Sequence, residues 1–318
     1  MKYKALAIAL IILLFSPLTP AIAAEPKIAI AYDIGFLGDN SFNDAVHLAL
    51  KAAKKKYGLV EPFVREVPTN GTAVDRLTRL RFLAKSGYTL IIAVGPGYRQ
   101  TVARVSQEYT ETQFAIVNDR SIAQLNVSNI YFREDDGAYL AGVAAANLSK
   151  RKSIAFIGSE AELLESFTKG ARANFPKVKI KNISYPDSAE SLRSQLSAVD
   201  IAYSTWDGDP SVIAVINESF AGKVRLILET PDQYFAQISQ TKSLVVATVS
   251  KQMSKPISQL VSAALESRAI IDVIDEVEGI YGREYNAANG GVGIIFNIAV
   301  NSSLKSQIKQ ALLKLKQG

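Results

Sequence analysis

The 318-residue chain has no cysteine, one histidine, one tryptophan and two methionines. Without thiols there can be no disulfide, thiolate metal site, cysteine nucleophile or lipid-bearing N-terminal cysteine. The single imidazole, His47, cannot supply the several ligands of a zinc centre. Any Ser/His/Asp triad would have to use it, yet it sits in Ala45-Val46-His47-Leu48-Ala49-Leu50, the setting of a helix-packing residue. No Gly-x-Ser-x-Gly elbow and no Gly-Lys-Ser/Thr phosphate loop occurs. Gly95-Pro96-Gly97 has Gln100 where a dinucleotide fingerprint needs its third glycine, so it reads as a tight strand-to-helix turn. Asp and Glu are plentiful, but nothing fixes two of them at the separation glycoside hydrolysis requires. No catalytic residue, metal or cofactor is assigned, and the composition favours binding over catalysis.

Long apolar runs are confined to the start. Lys2 and Lys4 precede the apolar residues 5–15, and Ala21-Ile22-Ala23 offers the small residues that a signal peptidase reads. The run is shorter than the roughly 18 residues a spanning helix needs, so residues 1–23 are expected to be an export leader with the mature chain starting at Ala24. The protein is expected at the cell surface or in the periplasm, held to the membrane through a transporter or an uncleaved leader if at all. The net charge of +6 includes the two leader lysines, and Lys and Arg are scattered among Asp and Glu, which is no nucleic-acid footprint. The dense run of Lys51 and Lys54 to Lys56 reads as the solvent face of an amphipathic helix.

What is there in abundance is a βα rhythm. Short Ile/Val/Ala runs at 27–33, 60–67, 89–94, 113–117 and 129–132 alternate with helical periods at 41–55, 72–86, 98–109 and 135–148. After the polar patch Ser149-Lys150-Arg151-Lys152 the series restarts, with strands at 153–157, 178–184, 200–203, 224–228 and 244–249 and a helix at 255–267. The predicted fold class is α/β, two doubly wound parallel-sheet lobes joined by a hinge. Residues 24–150 with about 251–275 form the first lobe and 151–250 the second. The strands and helix of 276–318 are left unassigned, with more than one passage between lobes expected there.

Ligands of open α/β sheets sit beyond the carboxyl ends of the strands. Asp33, Asn118-Asp119, Gly158-Ser159, Trp206-Asp207, Asp232 and Lys251 occupy such places. The loop of residues 33–43 carries two carboxylates, two glycines and, at the helix start, Ser41-Phe42-Asn43; Asn40 or Ser41 can cap the helix and leave its N-terminus facing the cleft.

That loop, the run Phe132-Arg133-Glu134-Asp135-Asp136-Gly137-Ala138-Tyr139-Leu140-Ala141-Gly142-Val143-Ala144-Ala145, and Asn289-Gly290-Gly291-Val292-Gly293 resemble the basic membrane protein (BMP) family of ABC transporter substrate-binding proteins. The resemblance implies a type I periplasmic-binding-protein fold and a nucleoside, purine favoured, held between the lobes, with an ABC permease as membrane partner and a monomer in solution. By position, Asp33 matches an aspartate that bonds the ligand, Phe42 the aromatic stacked on the base and Lys251 a lysine on the ribose. Asn43 is grouped with them, as are Asp232, which keeps one of two family aspartates while Thr230 replaces the other, and Asn118, which stands where an aspartate reads the base. An amide donates as well as accepts, so the choice of base is open to change. Trp206 is a candidate for the opposite wall of an aromatic clamp. The alternatives are a sugar or other small metabolite in the same fold, and an exported hydrolase.

Overall fold

The computed structural model describes residues 26–184, 188–205, 214–216, 218, 223–233 and 242–317. The leader expected at 1–23 and Trp206 lie outside these residues.

In chain order the elements are β1 (Ile28–Ala31), α1 (Phe42–Tyr57), β2 (Val64–Val67), α2 (Ala73–Lys85), β3 (Leu90–Val94), α3 (Arg99–Glu108), β4 (Gln113–Val117), β5 (Val127–Phe132) and α4 (Glu134–Leu148). There follow β6 (Ser153–Ile157), α5 (Ala161–Asn174), β7 (Lys179–Ile183), α6 (Ala189–Leu196), β8 (Ile201–Ser204), β9 (Arg225–Thr230), β10 (Val245–Lys251) and α7 (Ser254–Leu265). The chain closes with β11 (Asp272–Asp275), β12 (Ile280–Tyr285), β13 (Val292–Phe296) and α8 (Ser302–Leu315).

Two sheets result. The first runs β11-β12-β5-β4-β3-β1-β2 and the second β13-β10-β9-β8-β6-β7. All pairings are parallel except β11 with β12 and β10 with β13. The orders β2-β1-β3-β4-β5 and β7-β6-β8-β9-β10 are the same, so each half winds outward from its first strand. Strands such as Leu90–Val94 are buried at every position, which explains why they read as unbroken apolar runs: helices cover both faces of a parallel sheet. The fold class expected from the rhythm is the one observed.

The crossings between sheets are a tertiary matter. The polar patch at 149–152 is not the first of them, because α4, just before it, already packs on α5, α8 and strands of the second sheet. The chain leaves the first sheet after β5, returns between β10 and β11, and crosses again between β12 and β13. We therefore propose lobes of residues 26–133 with about 254–286, and 134–251 with 287–317. Strand β11 joins the sheet only through its hairpin to β12. Strand β12 pairs with β5, in register at Gly282 with Asn129, a pairing between distant parts of the chain that no local period announces.

Candidate ligand-binding cleft

The loop between β1 and α1 is built by its own carboxylates. Asp39 accepts from the backbone N–H groups of Ser41, Asn43 and Asp44, and Asp44 accepts from Gly38 and Asn40. The helix start is thus capped by Asp39 and not by Asn40 or Ser41 as expected, and its positive end already faces a carboxylate. Asn43, 2% exposed, donates its amide to the carbonyl oxygens of Asp33 and Ile34, so it braces the loop. Ser41 is freed to donate its hydroxyl to the carbonyl of Pro231 at 2.7 Å, in the loop after β9 of the other sheet. This bond spans the two lobes.

Asp33 lies at the end of β1, gripped by Arg76 of α2 through Nε at 3.2 Å and Nη2 at 2.5 Å. Its Oδ2 occupies the place a Cβ would take on Gly97, so the second glycine of the Gly-Pro-Gly turn is there to admit this carboxylate. Asn118, after β4, is half-buried in the left-handed region at φ 61°, a conformation asparagine tolerates better than most residues. Among the described residues its side-chain amide has no hydrogen-bond partner, whereas the neighbouring Asp119 is taken up by Arg99 at 2.6 Å and by Ser121.

At the facing ends of β9 and β10 lies a buried charge cluster. Lys251, the last residue of β10, has a side chain 2% exposed, and its Nζ donates to Asp232 Oδ1 at 2.5 Å and to Glu134 Oε1 at 2.6 Å. The same ammonium sits 5.6 Å from the centroid of the Phe42 ring, which reaches in from the other lobe. Burial works against the ammonium, but the carboxylates of Asp232, Glu134 and Glu229 outweigh it and hold Lys251 above its ordinary pKa. Glu229 lies behind, 5% exposed, accepting from the Tyr203 hydroxyl at 2.5 Å while its backbone N–H donates to Gln233 Oε1. Burial, then the charge of Asp232, pushes the Glu229 carboxyl up to about 8, so it is largely protonated at neutral pH. The lysine supplies the counter-charge that Glu134 and Asp232 need, and among the described residues no His, Cys, Asp or Glu group is arranged to hold a metal.

Two groups of this cluster keep unused hydrogen-bonding capacity. An ammonium has three protons and the protein takes two of Lys251's, while Asp232 Oδ2 is shut from solvent with no partner among the described residues. A donor and an acceptor therefore stand side by side beneath an aromatic ring. Phe42, Asp232 and Lys251 come together; Asp33 is joined to them through the 33–43 loop, and Asn118 lines the end of the first sheet. Glu134, Glu229 and Arg76 were not singled out from the sequence, and Ser41 was named as a helix cap and not as a bridge between lobes. Glu134 was findable, since it follows a strand end as Asp33 does, and Glu229 interrupts an otherwise apolar strand.

Two facing doubly wound sheets crossed three times by the chain, with polar groups gathered where the strand ends meet, define a two-lobed solute-binding protein of the type I periplasmic kind. Solved structures share it: an ABC transporter solute-binding protein from Conexibacter woesei has a TM-score of 0.71 at 18% identity, covering 92% of this chain and 97% of that one. The arabinose-binding protein AraP of Geobacillus stearothermophilus has 0.64 at 12%, covering 86% and 97%. The chain belongs to the Bmp family, the PnrA-like ABC transporter substrate-binding proteins, whose family model matches residues 26–315. Basic membrane protein A of Borreliella afzelii is 25% identical over 86% of this chain and 83% of its own. The ABC transporter nucleoside-binding protein BmpA of Lactococcus lactis is 28% identical over 50% of this chain and 45% of its own. The chain spans about half the length of several of the curated relatives it matches. Among the described residues no helix is long and apolar enough to cross a membrane.

Proposed function

We propose that this protein captures a nucleoside, a purine nucleoside by preference, outside the cytoplasm and hands it unaltered to an ABC permease. The observation that carries the reading is the Lys251 ammonium, 5.6 Å from the centroid of the Phe42 ring and bonded to Asp232, whose buried Oδ2 has no partner among the described residues. A heterocycle stacked on Phe42 would set a vicinal diol on that pair, one hydroxyl accepting from Lys251 and its neighbour donating to Asp232. Stacking contributes about 1–3 kcal/mol per base, a sizeable share of the roughly 8 kcal/mol of a micromolar complex. A wrong ligand that leaves the buried carboxylate unpaired loses about 1–3 kcal/mol, which makes the pair selective. Asn118, whose amide has no partner among the described residues, would read the base edge. The protein requires no chemical step: lobe closure around the ligand, with Ser41 meeting Pro231, presents the form a permease recognises.

Titration calorimetry with adenosine, guanosine, inosine, cytidine and uridine tests this, and heat from at least one purine nucleoside is expected. Silence from all five with heat from a pentose or hexose would transfer the site to sugars, a reading favoured by Asn118 and Thr230 standing where the family's aspartates are expected. Phe42→Ala is expected to weaken nucleoside binding by about 10- to 100-fold, the loss of one stacking face, with the unfolding midpoint nearly unchanged.

A further inference from the structure

The edge of the second sheet farthest from the cleft has a character the cleft does not explain. The starts of its strands lie side by side, tied by backbone bonds from Lys179 to Lys152, from Asp200 to Ser153, from Arg225 to Asp200 and from Leu226 to Leu244. Around this edge gather Lys150, Lys177, Lys179, Lys223, Arg225 and Lys242, all of them exposed except the half-buried Arg225. In the sequence these cations come from four separate stretches, 149–159, 176–184, 219–225 and 234–243, none of which contains an acid. Among the described residues the carboxylate bonded into this edge is Asp200, which is engaged by the Ser149 hydroxyl and the N–H groups of Lys150 and Arg151. Lys152 is not part of the face, since its ammonium turns inward to the Ala146 carbonyl over the Phe175 ring. Among the described residues no ion pair engages Lys150, Lys177, Lys179, Lys223 or Lys242. Between Lys150, Lys223 and Arg225 lies a hollow of about 300 Å³ lined also by Asp200 and by the apolar Leu148, Ile201, Val246 and Ile298.

We infer that this edge of the second lobe is an electrostatic docking surface for an anionic phospholipid bilayer. Unmatched lysines attract a negatively charged membrane surface, and apolar side chains within a cationic rim suit a phosphate head joined to an acyl chain. A surface of this kind would hold near the membrane a chain that has no cysteine to carry a lipid. The strands β9 and β10 separate the face from the Lys251 cluster by about 20 Å, at roughly 3.3 Å per residue, so docking leaves the cleft open. The inference goes beyond the ligand reading and stands or falls separately from it.

Co-sedimentation of the full chain with phosphatidylcholine vesicles, with and without a minority of phosphatidylglycerol, tests it. Binding is expected only with phosphatidylglycerol, strong at about 0.01 M salt and lost at about 1 M, where the screening length shrinks from about 30 Å to about 3 Å. The variant Lys150→Gln/Lys177→Gln/Lys223→Gln is expected to lose about fivefold in partitioning per charge, on the order of 100-fold in all. Lys51→Gln/Lys55→Gln/Lys56→Gln on α1 makes the same change in net charge and is expected to stay within a few-fold of the parent. Equal losses from both variants would reduce the effect to net charge, and salt-insensitive binding unmoved by either would assign it to the apolar N-terminal residues; both overturn the inference. So would release by inorganic phosphate at low millimolar levels, the mark of a small-anion site, or equally tight binding to a single-stranded oligonucleotide.

Discussion

Lys251 holds together more of the site than any other side chain, because Glu134 and Asp232 both lean on one ammonium. Removing one partner of a buried ionic cluster strands the others, at about 3–5 kcal/mol. Lys251→Met is therefore expected to lower the free energy of unfolding by about that much and to abolish ligand binding, as read by urea denaturation and calorimetry. Glu229 gives the cluster a pH signature. Its folded pKa of about 8 lies above the unfolded value of 4.5, so between those limits the folded form binds more protons than the unfolded one. Stability then falls as pH rises through that window, by the linkage relation. Urea midpoints at pH 5 and pH 8 are expected to show this decline in the parent and a much shallower one in Glu229→Gln, which keeps a partner for the Tyr203 hydroxyl without an ionisable proton. Parallel declines in the two proteins would remove Glu229 as the cause.

Among the elements, the helix pair α4 and α5 decides how the second lobe is joined to the hinge. Gly142 and Gly170 let the two backbones touch: a Cβ on Gly142 would strike the Phe167 carbonyl, and one on Gly170 the Tyr139 carbonyl. Neither obstacle is a side chain that can swing away. Gly142→Ala is expected to cost about 1–3 kcal/mol in thermal or urea unfolding as the helices are forced apart, in line with other overpacked cores. The glycine was visible in the sequence as part of the 132–145 run, but its purpose was not, since the partner carbonyl belongs to the helix that follows the next strand. Other helix ends were more local. Gly58 ends α1 in the left-handed region after Lys54 to Lys56, and Thr72 and Asn301 cap α2 and α8 with their side chains, so those boundaries were predictable to within a residue or two.

For the whole molecule the governing quantity is the balance between open and closed lobes. The hydroxyl of Ser41 bridges to Pro231 across the cleft, and a neutral hydrogen bond of this kind contributes about 1 kcal/mol net. Ser41→Ala is expected to shift the ligand-free balance toward the open form by about fivefold, seen as a larger radius of gyration in small-angle scattering and a matching loss of ligand affinity. An unchanged radius with unchanged affinity would mean that the bond does not govern closure. Because Asp39 rather than Ser41 caps α1, the substitution leaves the helix start intact.

By itself the sequence determined the class of architecture, since a period of two or 3.6 residues is written locally and buried parallel strands must be apolar throughout. It also determined what chemistry was impossible, because thiols and clustered imidazoles are simply not present. It located Asp33, Asn118, Asp232 and Lys251 at strand ends, for the reason that a parallel strand ends in the same place relative to its sheet wherever it occurs. Only the tertiary structure decided which of these meet. Lys251 and Glu134 are 117 positions apart, and α4 joins the sheet that follows it rather than the one before. Charge pairing depends on distances of a few ångströms in three dimensions, and spacing along a chain encodes those only within a single helix or strand.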